Sequence, residues 1–255
     1  MIRSVIAFTL AAAVLAGCDR KDPSGTQELL LYCAAGIRPP AGDLIDAFSD
    51  EYGVKIVTDY AGSEVLLSKI KLAERGDLYM PGDAYYIEQA DQAGLILSHH
   101  PVSYWIPTIF VQKGNPKGVH TLEDLLKPGL KVGLGDPNVC AIGKISWKIF
   151  AKNGISPQSM AHNLTFQSLT VNELGMQIQA KVLDAVIVWD AMARYYSQYG
   201  DQIPIPPDKN LISAVGIGVL KFTENRELAE KFVAFLISQR GRDIFAKHHY
   251  RTEPP

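Results

Sequence analysis

LLLYCAAGIRPPAGDLIDAFSDEYG, residues 29–53, is the stretch from which the fold is read. Leu29 to Tyr32 form an apolar run of strand length. After Pro39-Pro40, the residues Leu44, Ile45, Ala47 and Phe48 share one helical face, and Gly53 ends the pattern. The unit is strand, loop, helix, and it recurs. Val54 to Thr58 reads as a strand, Ser63 as an N-cap, and Val65 to Ala73 as an apolar-faced helix stopping at Gly76. Leu78 to Met80 and a helix from Asp83 follow. Such alternation predicts an α/β protein with largely parallel sheets, its ligand loops at the strand C-terminal ends.

The aromatic and β-branched run PVSYWIPTIFVQ, residues 101–112, followed by Lys113-Gly114-Asn115-Pro116, reads as a crossover into a second lobe. There the order repeats. Thr121 to Leu126 is a short helix, Lys131 to Leu134 a strand and Ala141 to Lys152 a helix. Leu164 to Ser168, Asn172 to Lys181 and Ala185 to Trp189 continue the series. The proline-rich Ile203 to Pro207 is a return crossover, because Ile212 to Leu220 is again strand-like and Glu224 to Ser238 is an amphipathic helix. The expected architecture has two lobes joined by a two-strand hinge. Residues 28–104 and 208–255 form lobe 1, residues 105–207 form lobe 2, and each lobe is a mostly parallel sheet flanked by helices.

Residues 1–17 read as a lipoprotein signal peptide. Arg3 precedes the apolar run Val5 to Ala16, which at about a dozen residues is too short to span a membrane, and LAGC ends at Cys18. Lipidation of Cys18 would leave residues 18–27, polar and turn-rich, as a flexible tether. The chain has 255 residues, 47% of them hydrophobic, enough for a sizeable core. Its 25 basic and 27 acidic residues lack the basic footprint that nucleic-acid binding needs.

There is no phosphate loop, GxGxxG, HExxH, GxSxG or CxxC, so nucleotide hydrolysis and the common hydrolase mechanisms lack their parts. His99-His100 and His248-His249 are candidate metal ligands with solvated positions as the plainer reading, and Tyr195-Tyr196 offers paired phenols that packing would equally explain. Cys33 and Cys140 read as buried free thiols behaving as small apolar groups, although export makes a disulfide chemically accessible.

Four segments carry a resemblance: LLLYCAAGIRPP (29–40), YAGSEVLLSKI (60–70), TLEDLLKPGLKVGLGDPN (121–138) and LDAVIVWDAMA (183–193). Together they resemble, in family order, the molybdate- and tungstate-binding proteins of ABC importers. The resemblance implies a type II periplasmic binding protein fold that encloses a tetrahedral oxyanion, molybdate or tungstate, between its lobes, with no catalysis and no cofactor. It implies as partners an ABC permease and its ATPase, a monomeric chain, and a location on the periplasmic face of the inner membrane through the lipid anchor, or on the cell surface in a Gram-positive host.

A buried dianion needs donors, and helix N-termini supply unpaired N–H groups carrying about half a positive charge. The candidate junctions are Ala35-Gly36, Gly62-Ser63, Ala141-Ile142 and Asn172-Glu173, two from each lobe, with the Ser63 hydroxyl as a further donor. Where relatives place a Ser or Thr in the first loop this chain has Gly36, and Arg38 two residues on is a candidate charge-assisted donor. The tyrosine that some relatives use falls near Ile187 or Trp189. Glu173 is a candidate oxyanion-site residue and possible direct metal ligand, or else a favourable carboxylate at a helix start. Three alternatives stay open: a ferric-iron or other cation binder using Tyr195, Tyr196, Glu173 or Asp190; an anion-sensing lipoprotein; and an enzyme on the same scaffold, for which no acid/base pair is evident.

Overall fold

The computed structural model describes residues 27–254; the signal peptide, Cys18 and all but the end of the tether lie outside them. In lobe 1 the chain runs β1 (Glu28–Ala34), a 3-10 turn (Ala35–Ile37), α1 (Arg38–Tyr52), β2 (Lys55–Ala61), α2 (Ser63–Ala73), β3 (Leu78–Met80), α3 (Ala84–Gln92) and β4 (Ile96–Trp105). It crosses and continues with β5 (Pro107–Gln112), a 3-10 turn (Glu123–Leu126), β6 (Val132–Gly135), α4 (Ala141–Lys152), the single turn α5 (Pro157–Met160), β7 (Leu164–Ser168), α6 (Val171–Gln179), β8 (Ala185–Trp189), α7 (Asp190–Tyr195) and β9 (Gly200–Pro204). It returns through β10 (Ser213–Leu220), α8 (Arg226–Ile237) and α9 (Gln239–Lys247).

The strands form two five-stranded sheets, ordered β2-β1-β3-β10-β4 and β7-β6-β8-β5-β9. Both are mixed. β1 pairs in parallel with β2 and β3, and β6 with β7 and β8, whereas β10 and β5 run antiparallel to their neighbours. The expected mostly parallel sheets thus describe only half of each lobe. A strand that enters from the opposite lobe starts at the hinge and must run against the strands that end there. Every residue of β6 and β8 is buried, as parallel strands covered on both faces require.

The first unit shows how local chemistry places the elements. Pro39 and Pro40 sit in the first turn of α1, where a missing N–H leaves no intrahelical bond unmade. Gly53 closes that helix in the left-handed conformation at φ 67°. The buried face of α1 carries Phe48, fully buried, edge-on to Phe232 and Phe235 of α8 with centroids 5.0 and 5.6 Å away. Helices far apart in sequence, α1 and α8, are packed together there.

The hinge is narrow. A continuous aromatic run divides into β4 and β5 at Ile106, so that Trp105 and Pro107 belong to different sheets. Asp190, the first residue of α7, holds this point from lobe 2: its N–H donates to Ile106 O at 2.9 Å and its carboxylate accepts from Ile106 N at 3.3 Å. In the return crossing, Asn210 Nδ2 donates to Pro107 O at 2.8 Å, tying the two connections together.

Truncating Phe48 to Ala should cost about 3–5 kcal/mol, because an aromatic ring inside a packed cluster leaves a cavity that neighbours fill only in part. Urea unfolding followed by circular dichroism checks this, and a loss under about 1 kcal/mol would contradict the packing described.

Candidate functional site

In each sheet the strand order turns back at the central parallel strand, so the loops after those strands open into one crevice. The strand ends Ala34 and Ala61 and the loop residue Gly82 from lobe 1 face Cys140, Thr170 and Trp189 from lobe 2 around a hollow of about 260 Å³, its open mouth included. Most of that is open solvent, and the inner space free for the centre of a water-sized guest is about 20 Å³, so the hollow suits a compact guest. Trp105 and Trp189 close its floor, with ring centroids 5.0 Å apart across the hinge.

Ala35, Gly36, Gly62, Ser63, Ala141 and Ile142 all line this hollow, together with Val171. Three helices begin at it: α2 at Ser63, α4 at Ala141 and α6 at Val171. The first N–H groups of a helix have no intrahelical acceptor. Among the described residues, those of Gly62, Ser63, Ala141 and Val171 make no hydrogen bond to a backbone carbonyl, and each of these residues is buried. No Lys, Arg, Asp or Glu lines the hollow. Its positive character is that of helix ends alone.

Ser63 is not the N-cap that its sequence context predicts. Gly62 occupies the cap position in extended backbone, and Ser63 is the first helical residue. Its side chain, in a residue 2% exposed, accepts from Gly82 N at 3.0 Å, which leaves the hydroxyl proton to donate elsewhere. Tyr79 donates to Ser63 O at 2.8 Å and fixes the turn from below.

Gly36 has a physical reason. A Cβ there would lie 2.8 Å from Val171 Cγ1 and 3.3 Å from Trp105 Cη2, so a Ser or Thr side chain has no room while the lobes meet.

Two candidates lie elsewhere. Arg38 is exposed and stacks over the Tyr60 ring, 4.4 Å from its centroid, rather than facing the hollow. Glu173, at the third position of α6, turns back on its own helix start: Oε2 accepts from Leu169 N at 3.0 Å and Oε1 from the Thr170 hydroxyl at 3.1 Å. This is a helix-start bracket, and it corrects the metal-ligand reading. The junction itself begins one residue earlier than expected, at Val171, and the T-x-x-E spacing of Thr170 and Glu173 is the signal that locates it.

The phenols of the cation alternative are also displaced. Tyr195 is 62% exposed and Tyr196 packs its ring on Gly175, and neither lines the hollow. His99 and His100 are exposed on β4, and His248 Nε2 lies 2.9 Å from Asp43 Oδ2. Among the described residues, no group of three or more His, Cys, Asp or Glu could hold a metal ion. Cys33 and Cys140 are free and buried. Burial pushes the Cys140 thiol up to about 12, although the N–H groups of Gly143 and Ile142 favour its thiolate.

Two α/β lobes around one donor-lined hollow define a two-lobed solute-binding protein. The chain belongs to the family of bacterial extracellular solute-binding proteins, whose model matches residues 29–251. It is 24% identical to the molybdate-binding protein ModA of Mycobacterium bovis over 246 residues, 92% of each chain. Its fold resembles the sulfate-binding protein SubI of Mycobacterium tuberculosis (TM-score 0.80, 16% identity, 90% of this chain and 88% of that one). It also resembles the periplasmic molybdate-binding protein of Azotobacter vinelandii (TM-score 0.77, 15% identity, 89% and 100%). These likenesses confirm the expected two-lobed fold. Among the described residues no helix is long and apolar enough to cross a membrane.

Asp190 sits behind the hollow at the hinge, 3% exposed, with Arg251 Nε 3.6 Å from its carboxylate. Burial outweighs the Ile106 and Ala191 N–H groups and the Arg194 and Arg251 cations, holding this carboxyl above its ordinary value of 3.8. A carboxyl that keeps its proton better when folded gives stability fully present below the unfolded value and lost as pH rises through the folded one. Relative to the parent chain, Asp190→Asn should therefore gain in melting temperature as pH is raised from about 4 to about 7. A difference that shrinks over that range would reverse the sign.

Proposed function

We propose that this chain captures a small, fully ionised tetrahedral oxyanion of the molybdate or tungstate class between its lobes and delivers it to an ABC permease served by a separate ATPase. The observation that carries the reading is the meeting of three helix starts and a 3-10 turn, contributed by both lobes, around a hollow with no charged lining. Partial positive charges from backbone N–H groups attract an anion. They act more strongly as closing lobes expel water and lower the local dielectric.

The same lining argues against a cation guest. A ferric ion wants carboxylate or phenolate oxygen, and neither faces the hollow. Likeness to a protein named for molybdate supports the choice of ion, and sulfate, for which another relative in fold is named, is the second reading. Outside the hollow, the LAGC box supports lipidation of Cys18 and anchoring at the periplasmic face of the inner membrane, or at the cell surface in a Gram-positive host.

Calorimetry of the chain with molybdate, tungstate, sulfate, phosphate and ferric citrate tests this. Heat is expected with molybdate and tungstate and none with ferric citrate; heat with sulfate alone would favour the second reading, and tight ferric binding without oxyanion heat would overturn both. Ser63→Ala should weaken oxyanion binding by about 1–3 kcal/mol if the freed hydroxyl proton meets a buried charge. Unchanged affinity would reduce Ser63 to a support for Gly82.

A further inference from the structure

We infer that Gly62 is the positioning residue that sets how far the two lobes close. Its backbone, φ −65° and ψ 148°, is extended and open to any L-residue, so nothing within lobe 1 demands glycine there. What demands it lies across the cleft. A Cβ at position 62 would stand 2.3 Å from Val139 O and 2.8 Å from Leu169 O, separations below the 3.0 Å that real Cβ atoms respect. These two carbonyls belong to different loops of lobe 2, the ones that lead into α4 and α6.

The contrast with Gly36 sharpens the point. Its nearest obstacle is Val171 Cγ1, the tip of a side chain. Against Gly62 stand two main-chain oxygens, each fixed by the loop that presents helix N–H groups to the hollow. Shortening Val139 or Leu169 leaves those oxygens in place, so the strain of an added methyl is relieved by parting the lobes. The absent side chain thus acts as a gauge: it lets one edge of lobe 1 seat against the backbone of lobe 2, bringing the N–H groups of both lobes to a common distance from one guest.

The inference rests on the oxyanion reading for its ligand but not for its geometry, and the test separates the two. Ser68→Cys and Asn138→Cys place a thiol on each lobe within one rim groove, both at exposed positions. Oxidative crosslinking of this pair traps the closed form with no ion added. With Gly62→Ala in the same chain, the crosslink yield should fall several-fold while the melting temperature stays close to the parent's. Equal yields in the two chains overturn the inference. In the chain without the added cysteines, Gly62→Ala should weaken molybdate binding by about 100-fold, the worth of losing one lobe's hydrogen bonds to a charged guest. Adding Val139→Ala should not restore it. Recovery with Val139→Ala would also overturn the inference, whereas failure of the parent chain to bind molybdate would strike the oxyanion reading alone.

Discussion

The first N–H groups of a helix have no intrahelical acceptor, and among the described residues those of Gly62, Ser63, Ala141 and Val171 meet around one hollow. Their collection in one place follows from topology. Parallel strands deliver their helices' N-termini to the same edge of the sheet, and two sheets facing each other across a hinge turn those edges together. In the proposed function these N–H groups become the donors of a complex, and an anion is the guest that satisfies them with least reorganisation.

The rest of the molecule serves that convergence. Ile106 and the 205–212 segment are the chain's two passages between sheets, and Asp190 and Asn210 fasten them by hydrogen bonds to the backbone of the other passage or its neighbour. Trp105 and Trp189, one at the hinge end of each sheet, fill the floor with apolar surface. Glycine at 36 and 62 removes the side chains that would hold the lobes apart.

Much of this was legible in the sequence because it rests on short-range pattern. The β1 to α1 unit announces itself by an apolar run, two prolines and a terminal glycine, and the Gly62-Ser63 and Ala141-Ile142 junctions by small residues ahead of helical periodicity. The features that were missed depend on contacts between distant residues. Ser63 looks like a cap until Gly82, brought by β3, claims its oxygen. Arg38 looks like an anion ligand until the Tyr60 ring on β2 offers the start of α1 a stacking surface. The break at Ile106 within one continuous apolar run, and the antiparallel strands it creates, reflect which sheet each half joins, and no local spacing encodes that choice. Trp105 and Trp189 meet only through the hinge.

The central claim concerns backbone amides, and amides report on themselves. Nitrogen-15 correlation spectra of the labelled chain, recorded as molybdate is added, should show the proton resonances of Gly62, Ser63, Ala141 and Val171 moving downfield together at one-to-one stoichiometry, as hydrogen bonds to an anion require. If those four stay fixed while an ion binds, or if only amides remote from the hollow respond, the site described is not where the solute goes.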